Sequence, residues 1–218
     1  MSLHITMNDE TRHKWDAIYG KADKVSGAPA RVLVENHHLL PSQGRALEVA
    51  CGRGRNALFL AAQGLETWAW DISKVAIEAL ADEAKRQGYQ IHAEARDIME
   101  QPPEAGDFDV IVVSHFLERG LVQLLRQALR PEGLLFYQTF TRTRVTERGP
   151  SNPEFRLRDN ELLHLCDGMR ILVYREEGLV GNLEQGFRDL ALVVAQKCWC
   201  FDSRRACSRA CITPSSDC

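Results

Sequence analysis

The chain has 218 residues, 44% of them hydrophobic, with a formal net charge of −3 and a pI of about 6.2. That is enough apolar material for one α/β domain with its own core, and it lacks the basic excess of a nucleic-acid surface. No run of about 18 apolar residues could span a bilayer, and the N-terminus turns acidic at Asp9 and Glu10, too soon for a secretion signal. A cytoplasmic location is therefore expected, without structural disulfides.

In chain order, Asn8 or Asp9 is placed to cap a first helix to about residue 19, which carries Trp15, Asp16 and Tyr19. Residues 20–27 read as a polar loop. A short second helix follows, with Pro29 near its first turn, where a missing N–H costs nothing; His37 and His38 end it before Pro41. Strands are expected at residues 45–50, 66–71, 91–95, 108–113 and 134–140. The helices between them run from Ala57 to Gln63, from the Ser73 cap to Gln87, and from Leu117 to Leu129. Val75, Ile77, Leu80 and Ala84 fall on or near one face of the second of these, and Gly88 stops it. Residues 101–106 form a loop. The run 108–113 is almost continuously apolar, as a central parallel strand requires. Five strands separated by helical segments imply a parallel sheet covered on both faces. Residues 141–153 are polar and expected to be mobile. Asp159 can cap a short helix to Cys166. Two further strands, 170–175 and 189–196, are joined by a loop too short for a long helix and read as an antiparallel edge hairpin.

The stretch Ala46-Leu-Glu-Val-Ala-Cys-Gly-Arg-Gly-Arg-Asn56 carries the most information. It is a buried strand that ends in a Gly-x-Gly turn and opens into a helix. Gly52 and Gly54 let the backbone approach a ligand where a Cβ would obstruct it. The helix start offers free N–H groups and a positive dipole end. Glu48 sits inside the strand, where an apolar residue is expected. An acid there suits a ligand with a cationic end, and S-adenosylmethionine, with its amino group and sulfonium, fits better than a dinucleotide. In a doubly wound sheet, ligands bind at the carboxyl ends of the strands, and two acids fall at such ends. Asp71 lies 19 positions after Gly52, where a carboxylate can accept both ribose hydroxyls. Asp97 is placed to take an adenine amino hydrogen while Ile98 packs on the ring. Singly, each has a plainer reading: a tight turn, a helix cap, a solvated loop acid, a strand acid that reaches water.

Gly52-Arg-Gly54-Arg-Asn-Ala57 also fits the alanine-ended dinucleotide fingerprint, and Asp71 would serve an NAD ribose. Against this, Glu48 would repel a pyrophosphate, about 45 residues precede the first strand, and no second domain is evident to carry a substrate. An NAD-dependent oxidoreductase and a non-catalytic cofactor-binding protein remain the alternatives.

Over residues 15–197 the chain resembles the class I S-adenosylmethionine-dependent methyltransferases. The resemblance rests on Leu47-Glu48-Val-Ala-Cys51-Gly52-Arg-Gly54-Arg55-Asn56, Trp70-Asp71-Ile72-Ser73, Arg96-Asp97-Ile98, Phe108-Asp109-Val-Ile-Val-Val113 and Leu129-Arg-Pro131-Glu-Gly133-Leu134. It implies an α/β fold with a doubly wound, mostly parallel, seven-stranded Rossmann-like sheet, an antiparallel edge hairpin and helices on both faces. The implied cofactor is S-adenosyl-L-methionine. By the same resemblance Glu48, Gly52 and Gly54 surround its methionine end, Asp71 holds the ribose, Asp97 and Ile98 frame the adenine, Ser114 lies beside the cofactor, and Ile72 is a further cofactor-binding residue. The segment Trp15-Asp-Ala-Ile-Tyr19 is similar to the helix that lids the site in small-molecule members, which makes Trp15 and Tyr19 substrate contacts; a helix whose aromatics only pack on the sheet is the alternative. Within the class, Phe155-Arg156-Leu157-Arg158-Asp-Asn-Glu161-Leu162-Leu163 followed by a hairpin is similar to the small bacterial tellurite-resistance and thiopurine methyltransferases. That similarity implies a small soluble acceptor, anionic or a metalloid or chalcogen compound, and neither nucleic acid nor membrane as a partner.

The exit of the fourth strand, Ser114-His115-Phe116-Leu117, lacks the Asn/Asp-Pro-Pro-aromatic signature that holds a planar nitrogen, which disfavours N-methylation of bases. His115 is a candidate base or substrate contact, or else a packing or capping residue. Arg156 and Arg158 offer forks suited to an anionic acceptor; ion pairs with Glu154 or Asp159 would account for them equally. The expected organisation is a methyltransferase domain over residues 1–197, with lid helices in 1–40, and a cysteine-rich, disordered tail over 198–218. The tail spacing Cys198-x-Cys200, Cys207-x3-Cys211, Cys218 does not match paired C-x2-C zinc units, so no metal site is assigned; capture of a metalloid by these thiolates stays open. Cys51 reads as structural and Cys166 as core.

Overall fold

The computed structural model describes residues 7–21 and 27–198. Part of the expected polar loop and all of the cysteine tail after Cys198 lie outside the described residues. Seven strands form one sheet in the order β3-β2-β1-β4-β5-β7-β6. They are β1 (Arg45–Val49), β2 (Glu66–Asp71), β3 (Ile91–Ala95), β4 (Phe108–Ser114), β5 (Leu129–Phe140), β6 (Met169–Glu176) and β7 (Leu190–Lys197). β1 to β5 pair in parallel, and β7 lies antiparallel between β5 and β6. The chain runs outward from β1 to β3, then returns past β1 to β4. This reversal opens a crevice at the carboxyl ends of β1 and β4, the place where such sheets bind ligands.

The helices are α1 (Met7–Gly20), α2 (Arg31–Glu35), α3 (Arg55–Ala62), α4 (Lys74–Gln87), α5 (Leu121–Ala128) and α6 (Glu161–Leu165). Alternation along the strands splits the core. Leu47, Val49, Ile111, Val113, Leu135 and Tyr137 bury one face against α5 and α6 through Leu121, Leu125 and Leu162. Ala46, Val110, Val112, Phe136 and Val194 bury the other against Leu33 and Leu60. α4 shows why its sequence folds locally. The Ser73 hydroxyl accepts from Ala76 N, Ile77, Leu80 and Ala84 are buried, and Gly88 closes the helix in the left-handed conformation. Such a serine cap stabilises by about 1 kcal/mol.

Several boundaries differ from the sequence expectations. α1 begins at Met7, so Asn8 and Asp9 lie inside it rather than capping it. α5 begins four residues late, at Leu121; Gly120 is a poor helix former, and Arg119 is drawn away to Glu161, with Nε 2.6 Å from Oε1. α6 is preceded by Asn160 in the left-handed conformation, not capped by Asp159, which accepts instead from the Thr143 hydroxyl at 2.9 Å. Residues 96–107, between β3 and β4, contain no helix, in keeping with the loop expected at 101–106. On β2, Trp68 and Trp70 carry cations over their faces: Arg45 lies 4.1 Å from the Trp68 ring and Arg96 4.0 Å from the Trp70 ring.

Residues 141–150, expected to be mobile, form a tethered strap. The Asp189 carboxylate accepts from Val145 N at 2.5 Å, Thr146 N at 3.1 Å and Thr146 Oγ1 at 2.6 Å. Burial opposes the charge on Asp189, yet these donors hold its pKa below the usual carboxylate value. From the other side Arg156 donates to the carbonyls of Pro150 at 2.6 Å, Thr141 at 2.9 Å and Arg148. Among the described residues no helix is long and apolar enough to cross a membrane.

Candidate functional site

A cavity of about 550 Å³ occupies the crevice at the carboxyl ends of the strands. Its floor is the turn after β1, where three alternate residues take left-handed backbone angles. Ala50, Gly52 and Gly54 have φ of 50°, 52° and 73°. A Cβ on Gly52 would stand 2.7 Å from the Tyr19 hydroxyl, and one on Gly54 would collide with Leu80. Glycine is therefore required at both positions, for different reasons: Gly52 keeps the cavity open, whereas Gly54 allows α3 and α4 to pack.

Glu48 holds this turn from beneath. It is 2% exposed; its two oxygens accept from Asn56 Nδ2 and Ala57 N, each at 2.7 Å. Burial nevertheless pushes its pKa up to about 8. Neither Glu48 nor Gly54 lines the cavity. The acid expected at the methionine end is spent on the start of α3, where the orphan Ala57 N–H and the Asn56 side-chain amide need an acceptor. Asn56, which sequence reasoning passed over, is the hub. Besides Glu48 it donates to Ser114 Oγ at 2.9 Å and accepts from Ala30 N at 2.7 Å. One buried amide thus joins β1, β4 and the approach to α2. No sequence signal marks it, because asparagine in a first helical turn is unremarkable.

The other expected cofactor residues converge. Gly52, Asp71, Ile72, Asp97, Ile98 and Ser114 all line the cavity. Asp71 Oδ2 accepts from Gly52 N at 2.7 Å and Oδ1 from Ser73 N at 2.9 Å. These bonds aim the carboxylate but do not exhaust its lone pairs. Burial raises its pKa in spite of them. Asp97 Oδ1 accepts from Met99 N and Glu100 N at 2.9 and 3.4 Å, which leaves Oδ2 for an incoming donor. These residues fit S-adenosylmethionine: an aimed carboxylate for ribose hydroxyls, a second for an exocyclic amine, and a glycine surface for the tail.

α1 closes over this floor. Trp15 and Tyr19 stack with ring centroids 5.7 Å apart, and both line the cavity. Asp16 fastens the helix: its Oδ1 accepts from Ser73 Oγ at 2.5 Å and from Val75 N at 3.4 Å, at the start of α4. Arg53, from the glycine turn, donates to the Tyr19 carbonyl. Burial, with Asp71 nearby, pushes the Tyr19 phenol well above its ordinary pKa, so it remains a neutral hydrogen-bonding group.

His115 stands at the far wall with φ 57°, an uncommon conformation for a residue with a Cβ. Its N–H donates to Gln138 O at 2.9 Å, and its ring rests on Phe140 at 5.1 Å. Partial burial, then Arg55 and Arg148, hold its pKa below the ordinary 6.5, so the imidazole is neutral at pH 7. The structure does not bring Arg156 or Arg158 to the cavity. Arg156 is 2% exposed with its guanidinium bonded to the strap, and Arg158 is exposed. Arg55 is in the wall instead, and Arg148 is close enough to His115 to act on its proton affinity. Among the described residues no group of His, Cys, Asp and Glu could hold a metal ion.

Residues 46–133 match the methyltransferase domain family. A ubiquinone biosynthesis O-methyltransferase of Xanthomonas axonopodis pv. citri (strain 306) is 25% identical over 135 residues, 59% of this chain and 56% of that protein. The chain therefore spans just over half the length of that curated relative. Among solved structures, a protein from work on converting a disulfide bond into a thioacetal group during echinomycin biosynthesis aligns with TM-score 0.66 and 22% identity, covering 88% of this chain and 95% of that one. TehB from Haemophilus influenzae aligns with TM-score 0.64 and 21% identity, covering 84% of this chain and 67% of that one. At such identities the structural likenesses speak for the fold, and the domain match covers residues 46–133. That stretch is similar to a methyltransferase domain, on the fold of the S-adenosylmethionine-dependent methyltransferases of solved structure, and the residues around the cavity fit S-adenosylmethionine as its cofactor.

Proposed function

We propose that this protein transfers a methyl group to a small acceptor that carries an anionic group, such as a carboxylate or an oxyanion. The observation that carries this reading is the cationic charge beside His115. Asp71 and Asp97 lie at the cofactor end, whereas Arg55 lines the wall beside His115 and Arg148 is near it. S-adenosylmethionine supplies a methyl carbon activated by a sulfonium. An anionic acceptor held by guanidinium groups meets that sulfonium with opposite charge in a site closed by α1, where water is excluded and alignment dominates the rate. Neutral His115 can accept the proton of a hydroxyl or thiol nucleophile. Oxyanions of metalloids or chalcogens form one such acceptor class, in keeping with the resemblance to the tellurite-resistance enzymes.

The test is a panel of matched acceptors, each acid paired with its methyl ester or amide, assayed with the wild type and Arg148→Ala. The acids should be methylated faster. Arg148 is exposed, so its contribution is about 1 kcal/mol, and the variant should raise KM about fivefold with kcat nearly unchanged. Preference for the neutral partners, or a KM for acids indifferent to Arg148, would rule the anionic acceptor out.

A further inference from the structure

Ser114 ends β4 in the wall of the cavity, half-buried, with His115 next in the chain. Its hydroxyl oxygen accepts from Asn56 Nδ2 at 2.9 Å. The sense of that bond is settled by another partner of the same amide. Ala30 N can only donate, and it lies 2.7 Å from Asn56 Oδ1. The NH₂ group of Asn56 therefore faces Glu48 Oε1, at 2.7 Å, and Ser114. A hydroxyl has one proton and two lone pairs. The proton of Ser114 cannot return to an amide nitrogen that is itself donating. The side-chain oxygens around it already accept: Glu48 from Asn56 and Ala57 N, and Gln138, level with Ser114 on β5, from Val32 N at 3.0 Å. Among the described residues Ser114 Oγ donates to no group, so its proton is left to the cavity. Arg55 lines the same cavity, and burial, then Arg55 and Arg148, keep the neighbouring imidazole of His115 uncharged. A hydroxyl donor beside guanidinium groups suits an anionic oxygen, which takes shorter and stronger hydrogen bonds than a neutral one.

We propose that the Ser114 hydroxyl donates to a carboxylate or oxyanion oxygen bound in the cavity. Two sources present that chemistry, the amino-acid end of the cofactor and the anionic acceptor beside it. The proposal rests on the reading of the cavity as an S-adenosylmethionine site.

The experiment is Ser114→Ala, titrated with S-adenosylhomocysteine and with 5′-methylthioadenosine, which has the adenosine and lacks the amino-acid carboxylate. Benzoate and selenite are then titrated into protein saturated with S-adenosylhomocysteine, and the ring resonances of His115 report their binding. Loss of one hydrogen bond to a charged oxygen raises a Kd about tenfold. A tenfold loss for S-adenosylhomocysteine, with methylthioadenosine unchanged, assigns Ser114 to the carboxylate of the cofactor. A tenfold loss for benzoate and selenite, with S-adenosylhomocysteine unchanged, assigns it to the acceptor. Ser114→Thr keeps the hydroxyl and should bind the affected ligand within about threefold of the wild type. A threonine variant as weak as the alanine one would trace the loss to packing and overturn the proposal. Equal losses for S-adenosylhomocysteine and methylthioadenosine would overturn it too, as would an alanine variant that binds every probe as the wild type does. If the wild type binds neither nucleoside, the cofactor reading fails first, and the contact inferred from it fails with it.

Discussion

Replacing Asp71 with alanine should abolish measurable cofactor binding, with Kd for S-adenosylhomocysteine rising at least 100-fold. The carboxylate is buried and aimed by Gly52 N and Ser73 N, so it reaches a ligand without reorganising. Two ribose hydroxyls donating to an ionised acceptor contribute about 1.5–3 kcal/mol each. Alanine removes both bonds, and it also orphans the two N–H groups that shape the glycine turn. Asp71→Asn separates these effects. Its amide oxygen can satisfy one N–H, but its NH₂ must face the other, and the charge is gone. Asn should therefore restore most of the stability lost in the alanine variant and little of the affinity. Calorimetry beside urea unfolding reads both quantities. An Asp71→Ala protein that binds within threefold of wild type would remove Asp71 from the site.

Arg156→Ala should destabilise the protein by about 2–4 kcal/mol, because it leaves the carbonyls of Thr141, Arg148 and Pro150 without their donor in a buried setting. The guanidinium also lies 5.4 Å over Phe140, the ring that supports His115. Loss of Arg156 should therefore loosen the whole strap, including Arg148. Limited proteolysis should then cut within residues 141–150 in the variant and not in the wild type. Arg156→Lys keeps the charge but cannot span three carbonyls, and it should recover less than half of the lost stability. A variant as stable and as protease-resistant as the wild type would show that Asp189 alone holds the strap.

These two arginine-bearing positions show what a sequence can and cannot reveal. Arg148 sits in the polar stretch 141–153 and Arg156 just beyond it, and neither residue shows in one dimension whether it is buried. Which of them is buried depends on where Thr141 and Pro150 bring their carbonyls, a long-range fact. The parallel strands, by contrast, were legible because their apolar runs and the Gly52 and Gly54 turn are local signals, and the acids at Asp71 and Asp97 follow from strand ends. Glu48 was visible as an anomaly, but its partners were not: Asn56 and Ala57 N lie eight and nine positions away, across a turn whose path the sequence leaves open. The connection between β3 and β4 was legible as a loop, because Pro102, Pro103 and Gly106 are local breakers of a helix. Asp16 was assigned to a helix and given no task, since its partner Ser73 already had a sufficient role as a cap.

The most direct measurement of the central claim is calorimetric titration of the wild-type protein with S-adenosylhomocysteine, and separately with NAD. The cavity geometry predicts micromolar binding of the first at one site per chain and no heat from the second. Binding of NAD with none of S-adenosylhomocysteine would contradict the account, because the Gly52 turn and the Asp71 carboxylate would then serve a dinucleotide.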